Sequence, residues 1–165
     1  MNMSLVPKKV FFTSGVGRHA EHLESFEVAL RDAGIEKYNL VKVSSILPPH
    51  CMIVSKEEGL AELDSGQIVF CVLSRISSDE PSRLITASVG CAIPRDIGKH
   101  GYIAEHHAYG QPKSDAGKYV EKLATSMYHT WTNEEPLKTV HIARSVNVEE
   151  EQRWTTAISA AVFIM

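Results

Sequence analysis

A chain of 165 residues can bury the core of one domain and is short for two. With 44% hydrophobic and 22% charged residues it has the composition of a folded globular protein, and a net charge of −3 removes the electrostatic case for nucleic acid or an anionic membrane as partner. No apolar run approaches the roughly 20 residues that span a bilayer, and residues 1–9 lack the apolar core of a signal peptide, so a cytoplasmic protein is expected.

Residues 9–13 form a short β-favouring run, and Gly15 and Gly17 after it predict a tight turn. A helix follows over 20–33, with Leu23, Phe26, Leu30 and Ala33 at helical spacing on its inner face and Gly34 as its stop. Glu27 borders that face. It can pair with Arg31 four residues on, or face a ligand pocket, and the pattern leaves both open.

A strand over 38–43 runs into Ser44-Ser45, and Pro48-Pro49 ends regular pairing shortly after, because proline fixes φ and lacks a donor. On that stretch alone an ordinary Ser/Pro turn is the simpler reading. Residues 51–54 read as a short extended piece and 56–64 as a loop or one helical turn. A strand buried on both faces is expected over 67–76, and a turn over 77–82.

Further strands are expected over 83–93, 101–109, 137–146 and 154–164. Loops are expected over 94–99 and 131–136 and a solvated acidic turn over 149–151. Ser114-Asp115 reads as the cap of a second helix ending near Thr130, with Ala116, Val120, Leu123 and Met127 inward. Helices and strands do not alternate as in a doubly wound sheet. The expectation is one α+β domain over 1–165, a layered sandwich of mostly antiparallel sheets with helices on the outer faces (α/β/β/α).

Several kinds of chemistry are excluded. Cys51, Cys71 and Cys91 form no C-x-x-C pair, which argues against a disulfide framework or zinc site and for buried apolar filler. Gly15-Val16-Gly17 lacks the remaining residues of a phosphate loop. His106 and His107, adjacent on a strand, point to opposite faces and cannot simply share a metal, so no metal is expected. No G-x-S-x-G elbow is present. Glu105, Glu27 and the Ser44-Ser45 pair remain.

Taken together, Thr13-Ser14-Gly15-Val16-Gly17, Phe26-Glu27-Val28-Ala29-Leu30, Ala33-Gly34-Ile35, and Asn39-Leu40 before Ser44-Ser45-Ile46-Leu47-Pro48-Pro49 resemble the pyruvoyl-dependent arginine decarboxylases. Ser77-Ser78-Asp79-Glu80-Pro81, Ala92-Ile93-Pro94 and Ala104-Glu105 extend the resemblance over nearly the whole chain.

The resemblance implies a zymogen that cuts itself between Ser44 and Ser45, leaving a β chain of 1–44 and an α chain of 45–165 that begins with a pyruvoyl group derived from Ser45. A hydroxyl beside its own upstream carbonyl reacts with the advantage of proximity. The group would form a Schiff base with arginine and act as the electron sink for its decarboxylation to agmatine, a polyamine precursor. By resemblance Asn39 lies near the cut bond, Glu105 returns the proton, with its pKa raised by burial in an apolar site, and Glu27 takes the guanidinium.

Glu27 stands where some family members carry aspartate, one methylene shorter. Another amino acid as substrate is therefore an alternative, and a processing-inactive paralogue that only forms trimers is another. The expected assembly is a homotrimer or dimer of trimers with sites between subunits, for which an exposed part of the small-residue strand over 86–92 would be suited.

Overall fold

The computed structural model describes residues 4–149 and 154–165. Two sheets stack face to face. The first has the order β2-β5-β9-β1-β4, from β1 (Lys9–His19), β2 (Asn39–Lys42), β4 (Met52–Ile53), β5 (Ile68–Ser78) and β9 (Trp154–Ile164). The second has the order β3-β7-β6-β8, from β3 (Ile46–Leu47), β6 (Leu84–Ile93), β7 (Gly101–Tyr109) and β8 (Lys138–Asn147). Pairing is antiparallel except for β1–β4 and β2–β5. Helix α1 (His22–Ala33) covers the outer face of the first sheet and α3 (Lys113–Thr132) that of the second. The short α2 (Lys56–Ala61), closed by a Ser55–Glu58 capping box, sits beside β1. This is the α+β layered sandwich that the sequence predicts.

Strand β9 explains the layering. Ile158, Ala160 and Val162 pack under α1, while Ala161 and Phe163 alternate into the space between the sheets with Val10, Val72, Val89 and Ile103. Both faces are buried, so the run is almost entirely apolar. Side-chain bonds tie the layers: Ser159 Oγ donates to Ala87 O at 2.9 Å, Ser74 Oγ to His106 O at 2.7 Å and Tyr109 Oη to Ser77 O at 3.2 Å. The cysteines are free, and burial pushes the Cys91 thiol up to about 12, consistent with filler.

Five expectations need correction. Gly15 and Gly17 make no turn; they lie inside an eleven-residue strand. Helix α1 crosses so close that a Cβ on Gly15 would sit 2.2 Å from Ala29 O, and one on Gly17 2.0 Å from Ser25 O. The same closeness resets the inner face of α1. The small residues Ser25, Ala29 and Ala33 are buried, whereas Leu23 is 74% exposed and Phe26 and Leu30 flank the contact. Gly34 ends the helix at φ 78°, as predicted.

Pro112, not Ser114, caps α3; the Ser114 hydroxyl turns to its neighbour Asp115, and the helix runs two residues past Thr130, taking in Trp131. The predicted turn over 77–82 begins later, because β5 continues through Ser78. Last, residues 86–92 expose nothing to a partner. Strand β6 is central in its sheet, with α3 on one face and the first sheet on the other, and Gly90 lets the Val120 backbone approach. Of the acidic turn over 149–151, Glu149 pairs with Arg18 at 3.2 Å, and Glu150 and Glu151 lie outside the described residues.

Candidate active site

Strand β2 forms one edge of the first sheet and β3 one edge of the second. Residues 43–45 carry the chain across the gap. The Val43 N–H donates to Cys71 O at 2.9 Å, extending the β2–β5 ladder. Two residues on, Ser45 O accepts from the Ile103 N–H at 2.7 Å, extending the β3–β7 ladder. The Ser44–Ser45 peptide is thus clamped on both sides, each clamp belonging to a different sheet. Pro48 is buried and stops β3 after two residues, so the clamp has little slack.

Ser44 is exposed and Ser45 half-buried. Ser44 borders an apolar cavity of about 320 Å³ whose walls include Leu5, Pro7, Phe70, Phe163 and Met165.

Glu105 lies on β7 two residues beyond Ile103, hence on the same side of the strand and roughly 7 Å further along it. The apolar burial expected for it is not supplied within this chain. The Glu105 side chain is 46% exposed, because β3 covers β7 only at Gly101 and Tyr102 and the edge beyond stands open.

Lys42, the last residue of β2, brings its Nζ to 3.9 Å from Glu105 Oε2. Sequence reasoning missed this lysine. The available signal was its place at a strand end just before the serine pair, but its partner is brought in by another sheet.

Asn39 and Glu27 sit apart from this group. Asn39 opens β2, where its N–H donates to Gln67 O and its Nδ2 to Gly66 O, both at 2.8 Å. Five residues of strand separate it from Ser44, roughly 16 Å at the usual rise. Within one chain its amide therefore does not reach the Ser44 carbonyl. Glu27 lies on the exposed side of α1, where Arg31 Nε donates to Oε1 at 2.6 Å. Oε2 is left for another donor. Asn39 borders a hollow of about 490 Å³ between α1 and the β2–β5 edge, whose helical wall, Phe26 and Leu30, brackets Glu27 in sequence. The chain thus carries Ser44, Ser45 and Glu105 at the sheet edges and Asn39 at the hollow, with Glu27 on the helix between two of the hollow's wall residues in sequence; Lys42 lines the hollow and also reaches Glu105.

Among the described residues no group of three His, Cys, Asp or Glu side chains is placed to hold a metal ion. His106 Nε2 instead lies 2.7 Å from Gln111 Oε1. Among the described residues no helix is long and apolar enough to cross a membrane either.

A family model described as pyruvoyl-dependent arginine decarboxylase matches residues 9–165. The chain belongs to the pyruvoyl-dependent arginine decarboxylase family. It is 66% identical over 165 residues to pyruvoyl-dependent arginine decarboxylase 1 of Methanosarcina acetivorans, with both chains covered in full. Over 166 residues it is 64% identical to the pyruvoyl-dependent arginine decarboxylase of Methanocella arvoryzae, again with both chains covered in full. A probable member from Chloroherpeton thalassium is 46% identical over 181 residues, covering 98% of this chain and all of its own. Membership makes the chain a decarboxylase whose cofactor is a pyruvoyl group. A serine whose hydroxyl lies next to its own upstream carbonyl, in a peptide held at both ends, fits as the source of such a group.

Proposed function

We propose that this chain cuts itself between Ser44 and Ser45 and then decarboxylates L-arginine to agmatine and CO2. The carrying observation is the clamped Ser44–Ser45 peptide, with Glu105 two residues past the clamp on β7. Ser45 Oγ attacks the Ser44 carbonyl, and the acyl group moves from nitrogen to oxygen. β-Elimination frees residues 1–44 with a terminal carboxylate. The dehydroalanine left at position 45 takes up water, loses ammonia and becomes the pyruvoyl terminus. Fixing the peptide from both sheets removes the orientational freedom that would otherwise slow the attack.

Held at position 45, the pyruvoyl group would supply the electron sink that decarboxylation needs. Glu105 holds the proton that the product carbon receives, and Lys42 Nζ lies 3.9 Å from its carboxylate. Glu27 Oε2, left open by Arg31, takes the substrate guanidinium, for which a carboxylate is the matching acceptor.

The separation of Glu27 and Asn39 from Ser45 and Glu105 on one chain favours an assembly of copies. In a homotrimer or a dimer of trimers, Glu27 and Asn39 of one copy would face Ser45 and Glu105 of the next. A second copy would also supply the enclosure that Glu105 lacks here. Free arginine is a cytosolic metabolite, which supports a cytoplasmic enzyme whose agmatine feeds polyamine biosynthesis.

The intact mass of the purified protein tests the reading. It should show fragments of residues 1–44 and 45–165, the second without a free amine, and Ser45→Ala should give one chain of 165 residues. CO2 release should be found with arginine ahead of lysine, ornithine and aspartate. A wild-type chain that stays whole and releases no CO2 would overturn the proposal.

A further inference from the structure

The hollow between α1 and the β2–β5 edge has walls of Phe26, Leu30, Leu40 and Leu73. Two cations, Lys42 and Arg75, enter it, and no carboxylate lines it. The strand period puts Leu40 with Lys42, and Leu73 with Arg75, on the same outer face of the sheet. Arg75 is the unexpected member. It interrupts a buried stretch of β5, and its guanidinium lies 3.7 Å from the centre of the Phe26 ring. Among the described residues it forms no ion pair. Partial burial lowers its proton affinity, the mark of a cation short of water and of a counter-charge.

A planar guanidinium held against a ring presents its fork in a fixed direction, the geometry that binds a carboxylate through two parallel N–H bonds. The apolar walls suit an aliphatic chain. We propose that this hollow binds an aliphatic carboxylate, gripped by Arg75 and Lys42, with its chain lying along Phe26 and the three leucines.

The site has a built-in link to the serine edge. Lys42 Nζ is 3.9 Å from Glu105 Oε2, so a carboxylate that draws Lys42 into the hollow takes a cation away from Glu105. The inference depends neither on processing at Ser45 nor on arginine as substrate. Only its link to turnover does.

Valerate, which has a carboxylate and a four-carbon tail but no amine, is the probe, and butyltrimethylammonium, which cannot condense with a pyruvoyl carbonyl, is its cationic counterpart. The Leu40 and Leu73 methyl resonances of the purified wild-type protein should shift and saturate with valerate and stay still with butyltrimethylammonium. Loss of a charge-assisted contact weakens binding by at least about tenfold, so Arg75→Met should show that loss while Arg75→Lys stays within about threefold. Methyl shifts with butyltrimethylammonium, no shift with valerate, or equal affinity in Arg75→Met would overturn the proposal. Should Arg75→Met not fold, the wild-type selectivity and Arg75→Lys decide.

Inhibition of CO2 release distinguishes two sources of the carboxylate. Competition with arginine assigns it to the substrate itself, and a lower kcat at unchanged KM assigns it to a separate effector. Turnover unchanged at saturating valerate would overturn the link through Lys42. A protein with no turnover at all would sink the decarboxylase reading while the methyl shifts still stood or fell on their own.

Discussion

Replacing Gly15 by alanine should test how closely α1 is laid on the first sheet. The new Cβ would lie 2.2 Å from Ala29 O and 2.7 Å from Ala33 N. Both are backbone atoms, so no rotamer change relieves the clash. Ordinary contact begins near 3.4 Å, so the helix must lift by about 1.2 Å. A gap of 0.5–1 Å already forfeits roughly a quarter to a half of a dispersion contact. Two buried bonds would stretch as well, Thr13 Oγ1 to Ala33 O at 2.6 Å and Ser25 Oγ with Thr156 Oγ1 at 2.7 Å.

Overpacking of this kind costs about 1–3 kcal/mol, and each lost bond adds about 1 kcal/mol. The expected loss is about 3–5 kcal/mol, or a fall in Tm on the order of 10 °C for a chain of this size. Thermal and urea unfolding followed by circular dichroism would measure it. Adding Ala29→Gly should not rescue the variant, because the clash is with the Ala29 carbonyl. A Gly15→Ala protein within about 1 kcal/mol of wild type would refute the reasoning.

Two further outcomes are expected. Burial by itself would raise the Glu121 carboxyl, but hydrogen bonds from Thr139 and His141 outweigh it and hold the group below the usual glutamate range. A depressed native pKa gives stability that is present above the unfolded value, about 4.3, and lost as pH falls through the native one. Urea midpoints of wild type and Glu121→Gln should therefore differ at pH 6–7 and converge in acid; a constant gap would contradict this. Tyr38→Phe removes a buried hydroxyl that has no partner among the described residues. Its stability in urea should be unchanged or raised by about 1 kcal/mol, and a loss of that size would show that the hydroxyl is bonded.

The architecture was legible where one residue type carries one meaning. Strand β9 is apolar on both faces, and β6 and β7 are bounded by proline and glycine, so the layers followed. Glycine carries two meanings, freedom of φ and closeness of approach, and the neighbours of Gly15 and Gly17 do not tell them apart. Once the approach is close, bulk at the helix surface becomes a fault. That is why Leu23 points outward and Ser25 inward, against the hydrophobic pattern.

In the candidate site the serine pair and its prolines read on their own as an ordinary turn, and it was the resemblance that directed attention to them and to Glu105. Lys42 and Arg75 were silent, because each matters only through a residue that another element brings alongside. The exposure of Glu105 was equally hidden, since it depends on β3 being only two residues long.

The double anchoring of residues 43–45 bears on what a broken chain would be. A cut after Ser44 would divide the sequence but not the body. Residues 1–44 contribute β1, α1 and β2, and β1 lies between β9 and β4, paired with β9 along its full eleven residues. Each new end would stay pinned to its own sheet, Val43 to β5 and Ser45 to β7. The two pieces would be interleaved, neither able to leave without unzipping a sheet interior. The seam opens a terminus for chemistry while the scaffold around it has no route to come apart.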